Sequence, residues 1–374
     1  MSAIALQNRE RILSHMVENM ANPVMVLDEK NEIVYENQAM KDIFGELIGE
    51  NAGILFVSGD GIEECDYSNA LEKGKRHPVS GKVEMNIADV GYALTETSIP
   101  FGENSLLAVM LEDVSEKKQF ESQTISQLSR YNSDTEMASR IQQGVLPIDS
   151  NYWNIIQLSS IFLPAEELSG DAYDIIKLSD DEALVYIADV AGHGIQASLL
   201  TMYINEKVRA NAELARQGLD KLLAEILRGF VAFGIDSSVY MTLLCCAYNR
   251  ASGELAIANA GHNCYPLILR GGGRTEEVPV KGMPICAISD ESSYEEEIVG
   301  ISKGDRLLLY TDGLIEEYSK VEKSVFGPEG VRRVAEMNAG LNGKELAEKI
   351  ISEAAKYTMI SAKDDRTLLV AEML

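Results

Sequence analysis

The sequence predicts an α+β protein in which two globular regions are joined by one long helix. In both regions, short apolar runs bounded by turn residues, which are typical of strands, alternate with segments of helical apolar spacing. Between Asp113 and Pro147 there is no proline and only one glycine, which predicts a single long helix. At 374 residues the chain is long enough for two or three domains of about 150 residues each.

The composition narrows the class of partner. The net charge is −26, from 33 basic and 59 acidic side chains, whereas nucleic acids and anionic membranes require a basic surface. A protein partner is therefore expected. No apolar run approaches the ~18 residues of a membrane span, and the first eleven residues lack a signal-peptide pattern, so we expect a cytoplasmic protein. The five cysteines show no CxxC spacing, which favours small apolar core residues over zinc or disulfide sites.

The first region combines one helix with several strands. Helical spacing covers Arg9 to Asn19, and the turn residues Asp28 to Asn31 predict a hairpin between two short apolar runs. A short helix over residues 37–44 ends at Gly45. Five strands are predicted, over Pro23 to Leu27, Glu32 to Tyr35, Lys82 to Ile87, Tyr92 to Ile99 and Leu106 to Leu111.

This order of elements, with the segments VLDEKNEIVYENQAM and LEDVSEKKQ, resembles a PAS sensor domain over residues 9–112. Cys65 lacks the residues of a flavin-photoadduct motif, and neither His15 nor His77 stands on an obvious pocket strand for haem. The sensed ligand is unknown. The alternative is a dimerisation and docking module without a cofactor, on which an upstream activator protein could act.

Residues 113–147 form the predicted linker helix. A seven-residue seam can be traced along it, interrupted by polar residues, which predicts a weak coiled coil and a homodimer. The alternative is a solvated linker helix that dimerises only incidentally. The seam consists of Val114, Leu128, Tyr131, Thr135, Ala138, Gln142 and Val145.

The second region, residues 148–374, again mixes strands and helices. A loop over Ser169 to Asp174 separates the first strand from a strand pair. Strands are predicted over Ile155 to Leu163, Ile175 to Asp189 as a pair, Met241 to Tyr248, Glu254 to Ala260, Tyr265 to Leu269, Arg306 to Tyr310 and Thr367 to Ala371. Helices are predicted over Ile195 to Ala212, Leu219 to Phe233, Glu329 to Met337 and Gly343 to Tyr357.

Four short acidic segments lie in this region, each at the edge of an apolar run or beside a glycine. They are SGDAYD, ADVAGHG, YTDGL and KDDRTL. Carboxylates brought together without cations would repel one another. The segments therefore predict a hard divalent metal, and two ions account for four or five aspartates better than one.

Five motifs in this order, GDxxD, DVxGHG, NAGHN, YTDGLxE and DDxT, resemble the stage II sporulation E and sigma-B regulator branch of the metal-dependent PPM serine/threonine phosphatases. The resemblance runs from about Gln142 to Leu374. It implies two antiparallel sheets packed face to face with helices outside. It also implies hydrolysis of phosphoserine or phosphothreonine by a water shared by two Mn²⁺ or Mg²⁺ ions, without a phosphoenzyme.

The resemblance also implies which residues hold the ions. Asp189 would bridge both metals, helped by the Val190 carbonyl, while Asp171, Asp312 and Asp364 complete the set of metal-binding and catalytic aspartates. Asp174 and Asp365 are expected in supporting rather than direct roles. Gly313 would let the chain approach the metals closely after Asp312, and Gly170 would do the same before Asp171.

Two histidines lie in the motifs, and their roles stay open. His193 could protonate the leaving oxygen or bind phosphate, or it could shape the loop between Gly192 and Gly194. Eukaryotic relatives place a histidine two residues after the bridging aspartate, whereas His193 lies four residues after Asp189, so the acid role does not transfer. For His262, support of the cleft is favoured over catalysis.

Some eukaryotic relatives hold phosphate with an arginine beside the first acidic motif, and no arginine stands there in this sequence. Weak affinity for small phosphate esters is therefore expected, and specificity is expected to come from docking of a protein partner. The family's usual substrates are phosphorylated STAS-domain anti-anti-sigma factors, which implies a partner-switching stress or developmental pathway. One rival interpretation is a scaffold whose phosphatase fold no longer turns over. A second is a PAS-linked histidine kinase, which lacks support because no phospho-accepting histidine lies on the linker and no glycine-rich ATP lid follows.

Overall fold

A computed structural model describes residues 3–52, 83–87, 90–101, 104–192, 194–234, 238–287, 294–316, 318–319, 324–357 and 364–374. The chain forms two compact units, residues 1–130 and residues 131–374. Among the described residues, no helix combines the length and apolarity that crossing a membrane would require. The predicted positions Cys65, His77 and His193 lie outside the described residues.

The described residues of the first unit include an antiparallel sheet and two helices, as the sequence predicts. The helices are α1 (Ala3–Glu18) and α2 (Gln38–Phe44). The strands are β1 (Val24–Leu27), β2 (Ile33–Glu36), β3 (Val83–Ile87), β4 (Val90–Phe101) and β5 (Asn104–Asp113), in the sheet order β2-β1-β5-β4-β3.

Asn37 holds the start of α2 against β1. Its side-chain oxygen accepts hydrogen bonds from the Val24 amide at 2.9 Å and from the Met40 amide at 3.0 Å. The second bond caps the helix N-terminus, whose first amides have no partner within the helix. Asn31 occupies the turn between β1 and β2 with φ 62°, a conformation that asparagine tolerates better than most residues.

Helix α3 (Ser115–Val145) occupies almost all of the predicted linker and contains residues of both units. Three positions of the predicted seam, Val114, Thr135 and Gln142, are buried within the single chain. Gln142 is buried and hydrogen-bonded within the second unit, so its side chain does not face a second helix. The coiled coil itself stays a prediction. Large apolar side chains exposed along this helix are Phe120, Ile125, Leu128, Tyr131, Met137 and Ile141.

The second unit contains two larger antiparallel sheets. The first has the order β15-β11-β10-β9-β8, with β14 added beside β10, and the second has the order β13-β12-β16-β19-β7-β6. The first sheet consists of β8 (Asp171–Lys177), β9 (Glu182–Val190), β10 (Tyr240–Asn249), β11 (Glu254–Ala260), β14 (Ile285–Cys286) and β15 (Glu296–Gly300). The second consists of β6 (Ser150–Tyr152), β7 (Ile156–Leu163), β12 (Leu267–Leu269), β13 (Thr275–Glu277), β16 (Arg306–Tyr310) and β19 (Arg366–Met373).

Outside the two sheets, the described residues of the unit include four α-helices, a 3₁₀ helix (Ala212–Gln217) and a small hairpin. The helices are α4 (Gly194–Asn211), α5 (Leu219–Phe233), α6 (Gly327–Met337) and α7 (Gly343–Ala354). The hairpin strands are β17 (Tyr318–Ser319) and β18 (Ser324–Val325).

Three apolar cores stack these elements into four layers. The central core joins the facing sides of the two sheets, with Ile187 from the first and Leu369 from the second among its buried residues. A second core packs α4 and α5 on the first sheet, and a third packs α6 and α7 on the second. The expected pair of face-to-face sheets with helices outside is confirmed. Burial on both sides of each sheet explains its nearly continuous apolar strands.

The expectation of a loop over residues 169–174 is wrong from Asp171 onward. Strand β8 begins at Asp171 and pairs with β9 from its first residue. Backbone pairing with a neighbouring strand satisfies the amides of this polar segment, and sequence patterns do not register that tertiary contribution.

Candidate metal centre

The centre is built on one antiparallel strand pair. Asp171 begins β8 and lies directly opposite Asp189, the penultimate residue of β9. Like charges placed opposite each other on neighbouring strands destabilise a sheet. Asp171 is buried and Asp189 is half-buried. Their juxtaposition therefore has a cost in the absence of a cation.

The pKa values of both carboxyls are raised accordingly. Burial, followed by the charges of Asp312 and Asp364, raises the pKa of Asp189 to about 7. Burial, followed by the charge of Asp189, raises the pKa of Asp171 well above its ordinary value. Asp171, Asp189, Asp312 and Asp364, from four separate segments, thus act on one another electrostatically and form one acidic group.

Asp312 follows β16 and opens a short 3₁₀ turn, Asp312–Leu314. Asn263 donates a hydrogen bond to its Oδ2 atom at 2.8 Å. A Cβ atom on Gly313 would lie 2.1 Å from the backbone oxygen of Asp365 and 3.1 Å from Cβ of Asp364. The absence of a side chain at Gly313 therefore lets this turn lie against the segment that carries Asp364.

Asp365 holds the loop before Asp171. Its Oδ1 atom accepts a hydrogen bond from the Ala165 amide, and its Oδ2 atom accepts one from the Gly170 amide, both at 2.7 Å. A Cβ atom on Gly170 would lie 2.9 Å from the Val190 carbonyl oxygen, so the loop also runs close to the end of β9. Both oxygens of Asp365 are occupied by backbone amides, which favours a supporting role.

Two threonines that sequence reasoning missed contact Asp171. The hydroxyl of Thr311 donates to Asp171 Oδ2 at 2.8 Å, and that of Thr367 donates to the same atom at 2.6 Å. Both threonines are fully buried. The available signal was their position, since each lies within three residues of a predicted aspartate in a motif.

Asp174 lies on the other face of β8, against α4. Its carboxylate forms an ion pair with Arg209, with 2.6 Å between Oδ2 and Nε and 2.9 Å between Oδ1 and Nη2. An odd spacing of three residues along a strand directs the two side chains to opposite faces. The structure therefore places Asp174 in the contact between helix and sheet, away from Asp171.

His262 is buried, and both of its ring nitrogens have protein partners. Nε2 lies 3.0 Å from the Tyr310 carbonyl and Nδ1 lies 3.1 Å from the Thr242 hydroxyl. Because the carbonyl can only accept, Nε2 carries the proton and Nδ1 accepts from the hydroxyl in the neutral ring. Burial lowers the pKa of His262, which favours this neutral form. The ring thereby supports Tyr310, two residues before Asp312.

Two further side chains connect to the centre. Burial, followed by the charges of Asp312 and Asp364, raises the pKa of Glu316, whose carboxylate belongs to the same acidic group. Gln142 of α3 donates to the Ser169 carbonyl at 2.7 Å and to the Thr201 hydroxyl at 2.8 Å, and accepts from the Ser169 amide at 3.0 Å. The end of the linker helix is thus bonded to the loop before Asp171 and to α4.

The donor set fits hard divalent cations. The acidic group offers carboxylate oxygens, and in the described part of the chain no lysine or arginine forms an ion pair with Asp171, Asp189 or Asp312. Within the same residues, no three acidic, imidazole or thiol groups already converge on one point as a complete metal-binding cluster. Asp171, Asp189, Asp312 and Asp364 are suited to hold a cation because they offer carboxylate oxygens and repel one another when no cation lies between them.

Comparison with known proteins identifies the family. The model of the stage II sporulation protein E (SpoIIE) family matches residues 179–374, and the PAS fold model matches residues 11–63. The phosphoserine phosphatase RsbU of Bacillus subtilis (strain 168) is 26% identical over 239 residues, which cover 64% of this chain and 69% of that protein. The phosphoserine phosphatase RsbP of the same strain is 26% identical over 190 residues, covering 49% and 45% respectively.

Among solved structures, the SiaA-PP2C domain of Pseudomonas aeruginosa is similar in fold, with a TM-score of 0.56 and 21% identity. The match covers 66% of this chain and 98% of that domain. It supports the layered architecture independently of the sequence motifs. The chain belongs to the SpoIIE family of PPM-type serine/threonine phosphatases and carries a PAS domain before its phosphatase domain.

Proposed function

We propose that this protein is a Mn²⁺- or Mg²⁺-dependent phosphatase that removes phosphate from serine or threonine of a STAS-type anti-anti-sigma protein. The observation that carries the metal-dependent chemistry is the facing pair Asp171 and Asp189, whose charges add to those of Asp312 and Asp364. Two relatives are named phosphoserine phosphatases, which supports the substrate chemistry. The proposed domains are residues 9–112, 113–147 and 148–374, and the proposed location is the cytoplasm.

The chain's own residues have distinct tasks in this reaction. When bound, two divalent ions would supply an activated water and neutralise the phosphate charge. Asp189, the Val190 carbonyl, Asp171, Asp312 and Asp364 would hold those ions. Asn263 fixes the carboxylate of Asp312, and Asp365 fixes the loop that leads to Asp171. His262, buried and neutral with both nitrogens engaged, supports the strand end rather than moving protons.

The STAS substrate and the partner-switching pathway rest on resemblance to the family. A protein partner agrees with the acidic composition, since a surface of net charge −26 repels nucleic acids. The dephosphorylated anti-anti-sigma protein would bind the inhibitor of a sigma factor. The sigma factor would thereby be released. The rival scaffold hypothesis predicts binding of the same partner without turnover.

We expect Asp312→Ala to abolish metal-dependent phosphate release. The substitution removes one carboxylate of the acidic group, and loss of a direct metal-binding residue should reduce the rate at least about 100-fold, beyond the effect of an indirect partner. The measurement is Mn²⁺-dependent phosphate release from a phosphoserine STAS-domain protein. Asp180→Ala, at the exposed turn between β8 and β9, is the matched control and should retain wild-type activity.

Wild-type protein that releases no phosphate at saturating Mn²⁺ would contradict turnover of this substrate by the full-length chain. Activity restored in a fragment of residues 131–374 would instead attribute the inactivity to the PAS region. If that fragment is inactive as well, either the partner is wrong or the scaffold hypothesis holds, and a second phosphoserine protein would separate those two cases.

Regulation by the PAS domain is the second part of this proposal. The contacts of Gln142 support a physical route from α3 to the metal centre. This side chain joins the last turns of α3 to the Ser169 backbone and to Thr201 on α4. A rotation of α3 would strain these bonds and disturb the approach to Asp171. The apolar side chains exposed along α3 support a homodimer in which such a rotation could be driven. The PAS ligand, or its absence, and an upstream activator are left open.

Full-length protein and the fragment of residues 131–374 should therefore differ in activity at saturating Mn²⁺, by several-fold or more. The fragment retains Gln142 and the complete second unit, so a difference reports on the removed segment rather than on a damaged site. Phosphate release from the same substrate measures it. Equal activities, with and without the physiological signal, would rule out control through α3.

A further inference from the structure

We propose that Thr311 and Thr367 are positioning residues that occupy Oδ2 of Asp171, so that Asp171 presents Oδ1 to a bound ion. The inference rests on the metal-dependent function proposed above. It concerns how the carboxylate is oriented, and it assigns a role to two side chains outside the predicted set of metal-binding residues.

The hydrogen-bond geometry fixes the direction of both hydroxyl protons. Thr311 Oγ1 accepts a hydrogen bond from the Thr367 amide at 3.0 Å, so its single proton is available for Asp171 Oδ2 at 2.8 Å. The Asp365 carbonyl is a more distant alternative at 3.5 Å. Thr367 Oγ1 donates to the same Oδ2 atom at 2.6 Å, a short distance for a hydrogen bond between two oxygen atoms.

Burial makes these contacts selective for one orientation of the carboxylate. Both threonines have no exposed surface and Asp171 is 2% exposed. A rotation of the carboxylate that took Oδ2 away would leave two buried hydroxyl donors without an acceptor, which is unfavourable where no water can replace it. β-branched threonine also has restricted χ1 freedom, which limits how the hydroxyls could follow a rotated carboxylate.

Thr367 belongs to the second sheet and Thr311 directly follows its strand β16, whereas Asp171 belongs to the first sheet. Thr311 precedes Asp312, while Thr367 lies in β19, three residues after Asp364. The segments that supply Asp312 and Asp364 therefore also hold Asp171. One hydrogen-bonded junction between the sheets then sets the separation of three carboxylates that come from distant parts of the sequence.

The test compares Thr367→Val, which keeps shape and removes the hydroxyl, with Thr367→Ser, which keeps the hydroxyl. Mn²⁺ binding to the full-length protein is measured by titration calorimetry, without any substrate. We expect Val to weaken Mn²⁺ binding about 10- to 100-fold, as is typical when an indirect partner of a metal-binding residue is removed. Ser should remain within about three-fold of wild type. Thr311→Val should act in the same direction.

Thr275→Val is the matched control. Thr275 lies on β13, far from Asp171 in the sequence, and its hydroxyl donates a hydrogen bond to the Glu336 carboxylate at 2.7 Å, which valine removes. Its Mn²⁺ affinity should equal that of wild type. Folded Thr367→Val and Thr311→Val proteins with unchanged affinity would overturn the inference. Equal weakening by Val and Ser would also overturn it, because the methyl group and not the hydroxyl would then matter.

The calorimetry also separates this inference from the proposed function. Wild-type protein that does not bind Mn²⁺ would refute both together. Wild-type protein that binds Mn²⁺ normally, with unaffected valine variants, would refute only the role of the threonines. If Thr367→Val fails to fold, the Thr311→Val and Thr367→Ser pair still distinguishes loss of the hydroxyl from loss of the methyl group.

Discussion

Replacing Asp189 by asparagine should stabilise the metal-free protein at pH 8 and, in the same molecule, remove Mn²⁺ binding. The pKa of Asp189 is raised to about 7, first by burial and then by neighbouring carboxylates. At pH 8 the ionised side chain therefore opposes folding. Asparagine has a similar shape but no charge. The substitution therefore removes the repulsion by the neighbouring carboxylates, and it also removes the negatively charged oxygen that a cation needs.

The sign of the pH dependence follows from proton linkage. A pKa raised above the ordinary aspartate value of 3.8 means that the folded protein binds this proton more tightly than the unfolded chain does. The resulting stabilisation is fully present below about pH 4 and is lost as the pH rises through about 7. The advantage of Asp189→Asn should therefore be small near pH 4 and largest above pH 7.

Urea unfolding in the presence of EDTA at pH 5 and pH 8 measures this effect. We expect a gain on the order of 2 kcal/mol at pH 8, since each pKa unit corresponds to about 1.4 kcal/mol and water at a half-buried group weakens the effect. Asp180→Asn, on a fully exposed side chain of the same hairpin, should leave stability close to that of wild type at both pH values. Equal or lower stability of Asp189→Asn at pH 8 would show that the charges are compensated within the protein.

Adding one methyl group at Gly313 should disrupt both stability and activity. A Cβ atom there would lie 2.1 Å from the Asp365 backbone oxygen, far inside any normal contact. Because the obstacle is backbone, the turn that carries Asp312 must move away from the segment that carries Asp364. Gly313→Ala should therefore cost about 3 kcal/mol of unfolding free energy, at the upper end for overpacking, and at least about 100-fold in phosphate release.

Gly300→Ala provides the matched substitution, because a Cβ atom at Gly300 would meet nothing within 4 Å. Gly300 ends β15 at an edge of the first sheet, and its alanine variant should behave as wild type. Denaturant unfolding and phosphate release are measured for both variants. Wild-type stability and activity in Gly313→Ala would show that the two segments do not need to touch.

The motifs and the apolar periodicity were sufficient for the layered α+β fold and for most of its elements. The helices α4 and α5 and the hairpin of β10 and β11 lie where the sequence predicts them. The two-residue strands β14, β17 and β18 were missed, because such short strands have no periodicity to detect and exist only through pairing.

The sequence by itself determined which residue types the site contains. These are acidic side chains in four ordered motifs, and a glycine at position 313, where the turn of Asp312 lies against the segment of Asp364. Only the tertiary structure decided their partners. Pairing with β9 makes Asp171 part of a strand and turns Asp174 towards Arg209, and packing of the two sheets brings Thr311 and Thr367 to Asp171. Local spacing encodes the face of a strand, whereas a hydrogen bond across about 140 or 196 positions depends on how the sheets pack.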